Sequence, residues 1–106
     1  MRRAARRDGN DAPITEALRA QGFTVYDYGK AGEGIPDKLV TRPLSEERLW
    51  VCWVEIKMPR GKLRDGQERF RDIFGPRGEH YVARDPQVAV IELTRRWLDA
   101  CGPGEG

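Results

Sequence analysis

The stretch Trp53–Phe70, WVEIKMPRGKLRDGQERF, decides how this chain is read. Its first half closes the apolar run LWVCWVEIK, the strongest strand signal in the sequence, yet Glu55 and Lys57 interrupt that run. Charges seldom sit in a sheet interior unless they are paired, hold a metal or perform chemistry. The two-residue period of a strand sends Cys52, Val54 and Ile56 to one side. It sends Val51, Trp53, Glu55 and Lys57 to the other. Large apolar residues on both sides predict a central strand covered on both faces, with the two charges side by side near its end.

Working outward, MPRG breaks the strand, and KLRDGQERFRDIFG predicts a helix whose stripe is Leu63, Gln67, Phe70 and Phe74. Gln67 is the polar member of that apolar stripe. Upstream, a first helix is expected from near Asp8 or Asp11 to Gln21, with Asp8 as a cap, Pro13 in the first turn and Gly22 just past the end. FTVYDYG reads as a strand, KAGEGIP as a glycine-rich loop, DKLVT as a short second strand, and RPLSEER as a hairpin connection. Downstream, EHYVAR reads as a fourth strand. Asp85 and Pro86 cap and open a last helix with Val90, Leu93 and Trp97 on one side. The order α-β-β-β-α-β-α predicts a mixed α/β domain.

The 106 residues suit a single domain spanning 1–106, with a basic tail over 1–7 and a flexible tail over 102–106. A 39% hydrophobic content, three tryptophans and a net charge of only +2 argue against disorder. MRRAARR places four arginines in seven residues, a side chain suited to phosphate. The pI of about 8.7 permits a nucleic-acid partner without demanding one. Cys52 and Cys101 are too few and too isolated for a metal framework. Cys52 reads as a small core residue, and two thiols fit a reduced, cytoplasmic setting. No run is long and apolar enough for a membrane span.

If DKLV and WVCWVEIK pair antiparallel, Asp37 at the start of one strand meets Glu55 and Lys57 at the end of the other. Two carboxylates held close repel, and a divalent cation relieves this. Mg²⁺ takes oxygen ligands and is commonly held by one or two carboxylates together with substrate phosphate, and the Ile56 carbonyl offers a further oxygen. Lys57 is placed to hold an attacking water or to neutralise developing charge. The other reading, a salt bridge of Lys57 with Asp37 or Glu55 and no metal, stays open on spacing alone.

In order, GNDAPITEALRAQGF, GEGIPDKLV, WVEIKMPRGKL and GQERF resemble the PD-(D/E)XK nuclease superfamily. They are most similar to its small VRR-NUC branch of phage and virus-type endonucleases, related in fold to Holliday-junction resolvases. The likeness covers roughly residues 8 to 93. It implies a restriction-endonuclease-like α-β-β-β-α-β core, with a mixed central sheet flanked by helices, plus a C-terminal helix. It implies Mg²⁺- or Mn²⁺-dependent hydrolysis of DNA, duplex or branched, by a homodimer of phage or bacterial origin. Asp37 and Glu55 become metal ligands, Lys57 the catalytic lysine, and Gln67 a site residue reaching in from the helix. Asp11 stands where the family commonly has a longer Glu. It reaches the metal directly or through water, or it caps the helix.

A catalytically silent nucleic-acid-binding module of the same fold is the alternative function. Arg60, Lys62 and Arg64, after the site strand, are candidates for phosphate contacts that position a duplex without reading its sequence. Glu16 and Glu33 read as solvated, Tyr26 and Tyr28 as strand packing, and His80 as structural or exposed.

Overall fold

The computed structural model describes residues 9–77 and 79–102. The expected basic tail, the cap at Asp8 and residues 103–106 lie outside them. The elements follow the expected order: α1 (Asp11–Ala20), β1 (Thr24–Asp27), β2 (Lys38–Pro43), β3 (Leu49–Ile56), α2 (Asp65–Phe74), β4 (His80–Ala83) and α3 (Pro86–Cys101). A single 3₁₀ turn, Gly75–Arg77, follows α2.

The four strands form one mixed sheet in the order β1-β2-β3-β4. The first three are antiparallel neighbours, and β4 lies parallel to β3. A parallel pair needs a crossover, which α2 and its 3₁₀ turn provide. Strand alternation then gives the sheet two different faces. On one, Val25, Val40, Cys52, Val54 and Ile56 are buried beneath Ile14 and Leu18 of α1 and Ala89 and Leu93 of α3. Burial pushes the Cys52 thiol up to about 12, so it is an inert core group. Asp85 caps α3 as its sequence predicts, accepting from the Val88 amide at 3.0 Å.

The other face is covered only in part. Phe70 of α2 lies edge-on to Trp53 at 5.6 Å and stacks on Phe74. Beneath it His80 is buried, and burial, then Arg71 and Arg96, hold its imidazole below the usual range. Toward β1 this face is open, with Tyr26 53% and Tyr28 42% exposed. The central strand is thus covered on both sides only over its second half; Leu49 and Val51 are exposed.

Two boundaries differ from expectation. The second helix starts at Asp65 rather than Lys62, so Leu63 precedes it and only Gln67, Phe70 and Phe74 form its stripe. The backbone amide of Arg64, the N-cap, donates to Gln67 Oε1 at 2.8 Å, which fixes the start there. Asp11 is the first helical residue and not the cap, which is Asn10. The Asn10 amide instead reaches across the sheet edge, donating at 2.8 Å to both the Lys57 and Arg84 carbonyls.

The glycine-rich loop lies against the start of α2. Gly34 has φ +78, and a Cβ there would stand 2.5 Å from the Gly66 carbonyl oxygen. Gly32 has a similar φ of +77 but open space around it. Gly34→Ala therefore adds a backbone collision to the left-handed strain that Gly32→Ala carries alone. We expect chemical denaturation to show a loss of about 1–3 kcal/mol for Gly34→Ala, clearly larger than for Gly32→Ala. Equal losses would mean that the loop–helix contact contributes nothing.

Candidate active site

The register of β2 on β3 builds the site. Lys38 pairs with Val54 and Leu39 with Trp53. One step further along the same ladder, Asp37 stands opposite Glu55, on the face shared with Leu39 and Trp53. The Tyr28 amide donates to the Asp37 carbonyl at 2.7 Å, carrying the β1–β2 ladder to the same row. Asp37 Oδ2 in turn accepts from the Ile56 amide at 3.0 Å, which locks the aspartate onto the end of β3.

Glu55 is 2% exposed. Its Oε2 accepts from Gln67 Nε2 at 2.9 Å, while Oε1 is buried without a hydrogen-bond partner. Gln67 thus spans two contacts, its amide oxygen on the Arg64 backbone and its amide nitrogen on Glu55. Burial raises the Glu55 carboxyl to about 8, helped by the neighbouring Asp37 carboxyl; Lys57 and Arg64 pull it down. A cavity of about 700 Å³ opens above the pair. Asp37, Glu55, Ile56, Lys57, Arg64 and Gln67 are among its walls, with Glu33 and Gly34 from the glycine-rich loop.

The structure therefore gathers Asp37, Glu55, Lys57, Gln67, Arg64 and the Ile56 backbone in one place. Three other candidates lie elsewhere. Asp11 does not line the cavity: its Oδ1 is 3.1 Å from Lys38 Nζ, on the helix-covered face. Arg60 and Lys62 are exposed and outside the cavity wall. Glu33 is exposed as expected, with φ +57, but it does border the cavity.

Sequence reasoning missed Lys38. It is 3% exposed, paired with Asp11 and lying 3.5 Å from Asp27 Oδ1. Its position next to Asp37 in an alternating strand places it on the opposite face, and that was legible; its burial was not. Asn10 and Arg84 were also missed. Arg84 donates to the Met58 and Gly61 carbonyls, holding the turn that follows Lys57.

Among the described residues no cluster of three or more His, Cys, Asp or Glu could hold a metal. Two carboxylates and a neighbouring carbonyl are nevertheless the oxygen set that Mg²⁺ accepts when water and phosphate complete its shell. The unpartnered Glu55 Oε1 and the repulsion within the acid pair are what a bound cation would relieve. The residues fit. Comparison of the chain with protein-family models, with curated proteins and with solved structures found no match. Among the described residues no helix is long and apolar enough to cross a membrane.

A raised carboxyl makes stability depend on pH. The folded protein holds the Glu55 proton up to about 8, whereas the ordinary value is 4.5. The stabilisation is complete below pH 4.5 and is lost as pH rises through about 8. Denaturant unfolding in EDTA should show this loss in the wild type, and Glu55→Gln should flatten it. A variant that keeps the wild-type slope would assign the effect to another group.

Proposed function

We propose that this protein is a divalent-metal-dependent DNA endonuclease that hydrolyses phosphodiester bonds at the Asp37–Glu55 pair. The observation that carries the reading is the buried Glu55 carboxyl, one oxygen unpartnered, beside the half-buried Asp37 carboxyl in an open cavity lined by Lys57. A salt bridge without metal would not leave Glu55 Oε1 orphaned. Among the described residues, neither Asp37 nor Glu55 is within salt-bridge distance of Lys57. The order of the GIPD, VEIK and GQERF motifs supports the same reading by resemblance.

Asp37, Glu55 and the Ile56 carbonyl would hold Mg²⁺ or Mn²⁺. When bound, the cation acidifies a water and offsets charge on the phosphate. The chain's own groups do the rest. Gln67 holds the Glu55 carboxylate in one orientation, and the Asp37 bond to the Ile56 amide holds the second carboxylate against it. Lys57 places an ammonium at the cavity wall, where it stabilises the negative charge that grows on the phosphate oxygens during attack. Arg64 adds a second cation on the α2 side. Arg60 and Lys62, exposed on the adjoining turn, are placed to contact phosphates farther along the strand. A homodimer would present two such sites to the two strands of duplex or branched DNA.

The reading is tested by incubating four-way junctions, flapped DNA and linear duplex with Mg²⁺, Mn²⁺ or EDTA. Cutting is expected only with metal. Lys57→Ala should lower it by about 10²–10³-fold with metal affinity kept, and Asp37→Asn should lower calorimetric Mg²⁺ binding as well. Cutting in EDTA, or full activity of Lys57→Ala, removes this mechanism. DNA binding with no cutting under any metal favours the silent binding module.

A further inference from the structure

The half of the sheet that α2 leaves open continues from the acid pair. Along the ladder that holds Asp37 opposite Glu55, the neighbour on the β1 side is Tyr28, joined through the bond from its amide to the Asp37 carbonyl. The Tyr28 ring meets Trp53 edge-on at 5.4 Å, which puts it on the same face as Glu55. One row away, Tyr26 pairs with Leu39, which pairs with Trp53. Alternation assigns Tyr26 to that face too. The two tyrosines, 53% and 42% exposed, therefore form a shelf beside the cavity, with Ile35 at 36% on the cavity rim.

Packing on Trp53 accounts for one edge of Tyr28 and still leaves both rings exposed. No helix of the described residues covers the β1 side of this face: α1 and α3 pack together on the opposite one, and α2 stops over β3 and β4. Two aromatic rings kept on an open sheet beside a site with two cations, Lys57 and Arg64, have the character of a stacking platform. Adjacent strands lie about 4.8 Å apart, so Tyr28 stands one strand from Asp37. Residues two apart on a strand are about 7 Å apart, so Tyr26 offers a second platform one step on. Every base has a π-face, and stacking on such rings requires that the base be unpaired.

We propose that Tyr26 and Tyr28 stack unpaired bases of a DNA strand whose phosphate lies at the Asp37–Glu55 pair. The substrate class is then DNA that is single-stranded next to the cut, such as a flap, a gap or an opened junction arm, and not intact duplex. The inference rests on the endonuclease reading for the position of the phosphate; the shelf itself is read from strand register and exposure.

The test measures fluorescence anisotropy of a labelled oligo-dT of about 12 nucleotides, in EDTA and in Ca²⁺, with the full-length chain. Cleavage of the same strand in Mg²⁺ is followed separately. Tyr26→Ala and Tyr28→Ala should each weaken binding roughly 5- to 150-fold, the range for loss of one base–aromatic stack. Tyr28→Phe should bind like the wild type, and Tyr28→Leu, equally apolar but without a π-face, should bind like Tyr28→Ala. Matching unfolding midpoints for the Phe and Leu variants separate stacking from a structural role. Wild-type affinity in both alanine variants, equal binding by the Leu and Phe variants, or no single-strand binding by the wild type overturns the proposal. So does a change in sedimentation mass with Tyr26→Ala at unchanged affinity, because the shelf would then seat a second copy of the chain. Reduced binding by the alanine variants beside a wild type that cuts nothing keeps the shelf and removes the hydrolytic reading. Metal-dependent cutting with unchanged binding does the reverse.

Discussion

The antiparallel register of β2 on β3 is the constraint on which the site depends. It sets Asp37 across from Glu55, and a slip of one residue would turn each side chain to the opposite face. The register is held from both ends. On the core face Val40 and Cys52 pair within the apolar layer, and on the site face the Asp37 carboxylate accepts from the Ile56 amide. Correct pairing of the hydrophobic positions therefore brings two acids together as a necessary consequence. Gln67 compensates only one oxygen of Glu55, and the other is buried without a partner. Such a group destabilises the fold by about 1–3 kcal/mol. A methionine or leucine at position 55 would avoid that cost, so core packing alone does not account for a glutamate there.

Asp37 and Lys38 show how one strand serves two layers. They are adjacent, so their side chains leave on opposite faces. Lys38 goes into the helix-covered layer, where Asp11 and Asp27 neutralise it, tying α1 and β1 to β2. Asp37 goes to the open layer, where its partner is another acid. The helical layer thus pairs its acids with a lysine, while the other layer sets two acids side by side, with an amide donating to one carboxylate oxygen of each. Asn10 and Arg84 extend the bracing past the ends of the strands by hydrogen-bonding the carbonyls of Lys57, Arg84, Met58 and Gly61. These bonds hold in place the backbone from which Lys57 projects.

Much of this was legible in the residues. The alternation of LWVCWVEIK gave the shared face of Glu55 and Lys57, and the polar break at Gln67 in an apolar stripe marked the helix that reaches the site. Asp85–Pro86 marked the start of α3. What stayed hidden depended on tertiary contacts. Asn10 before a helix reads as a cap, and nothing local shows that its amide spans to residues 57 and 84. Asp11 suits a metal or a cap equally on sequence, and only the burial of Lys38 beside it, rare for a lysine, assigns it to an ion pair. The start of α2 moved to Asp65 because a bond between Arg64 and Gln67 competes with the helix propensity of the preceding residues. The exposure of Tyr26 and Tyr28 could not be read either, since aromatic residues in a strand look the same whether or not a helix covers them.

The shortness of α2 explains why the pair sits where it does. Its ten residues lie over β3 and β4 and leave Tyr26 and Tyr28, on the β1 side, exposed. The boundary of that cover falls between Glu55 and Asp37. A pair wholly beneath the helix would be neutral and closed to any substrate. A pair wholly in the open would be solvated, with each carboxylate near its ordinary range. At the boundary, Glu55 is buried enough for its carboxyl to rise to about 8, while Asp37 opens onto the cavity. The cavity thus reaches the pair from the open side. The low dielectric beneath the helix would strengthen attraction to any positive charge placed there. Burial of one acid and access to the other are thus set by where one helix ends.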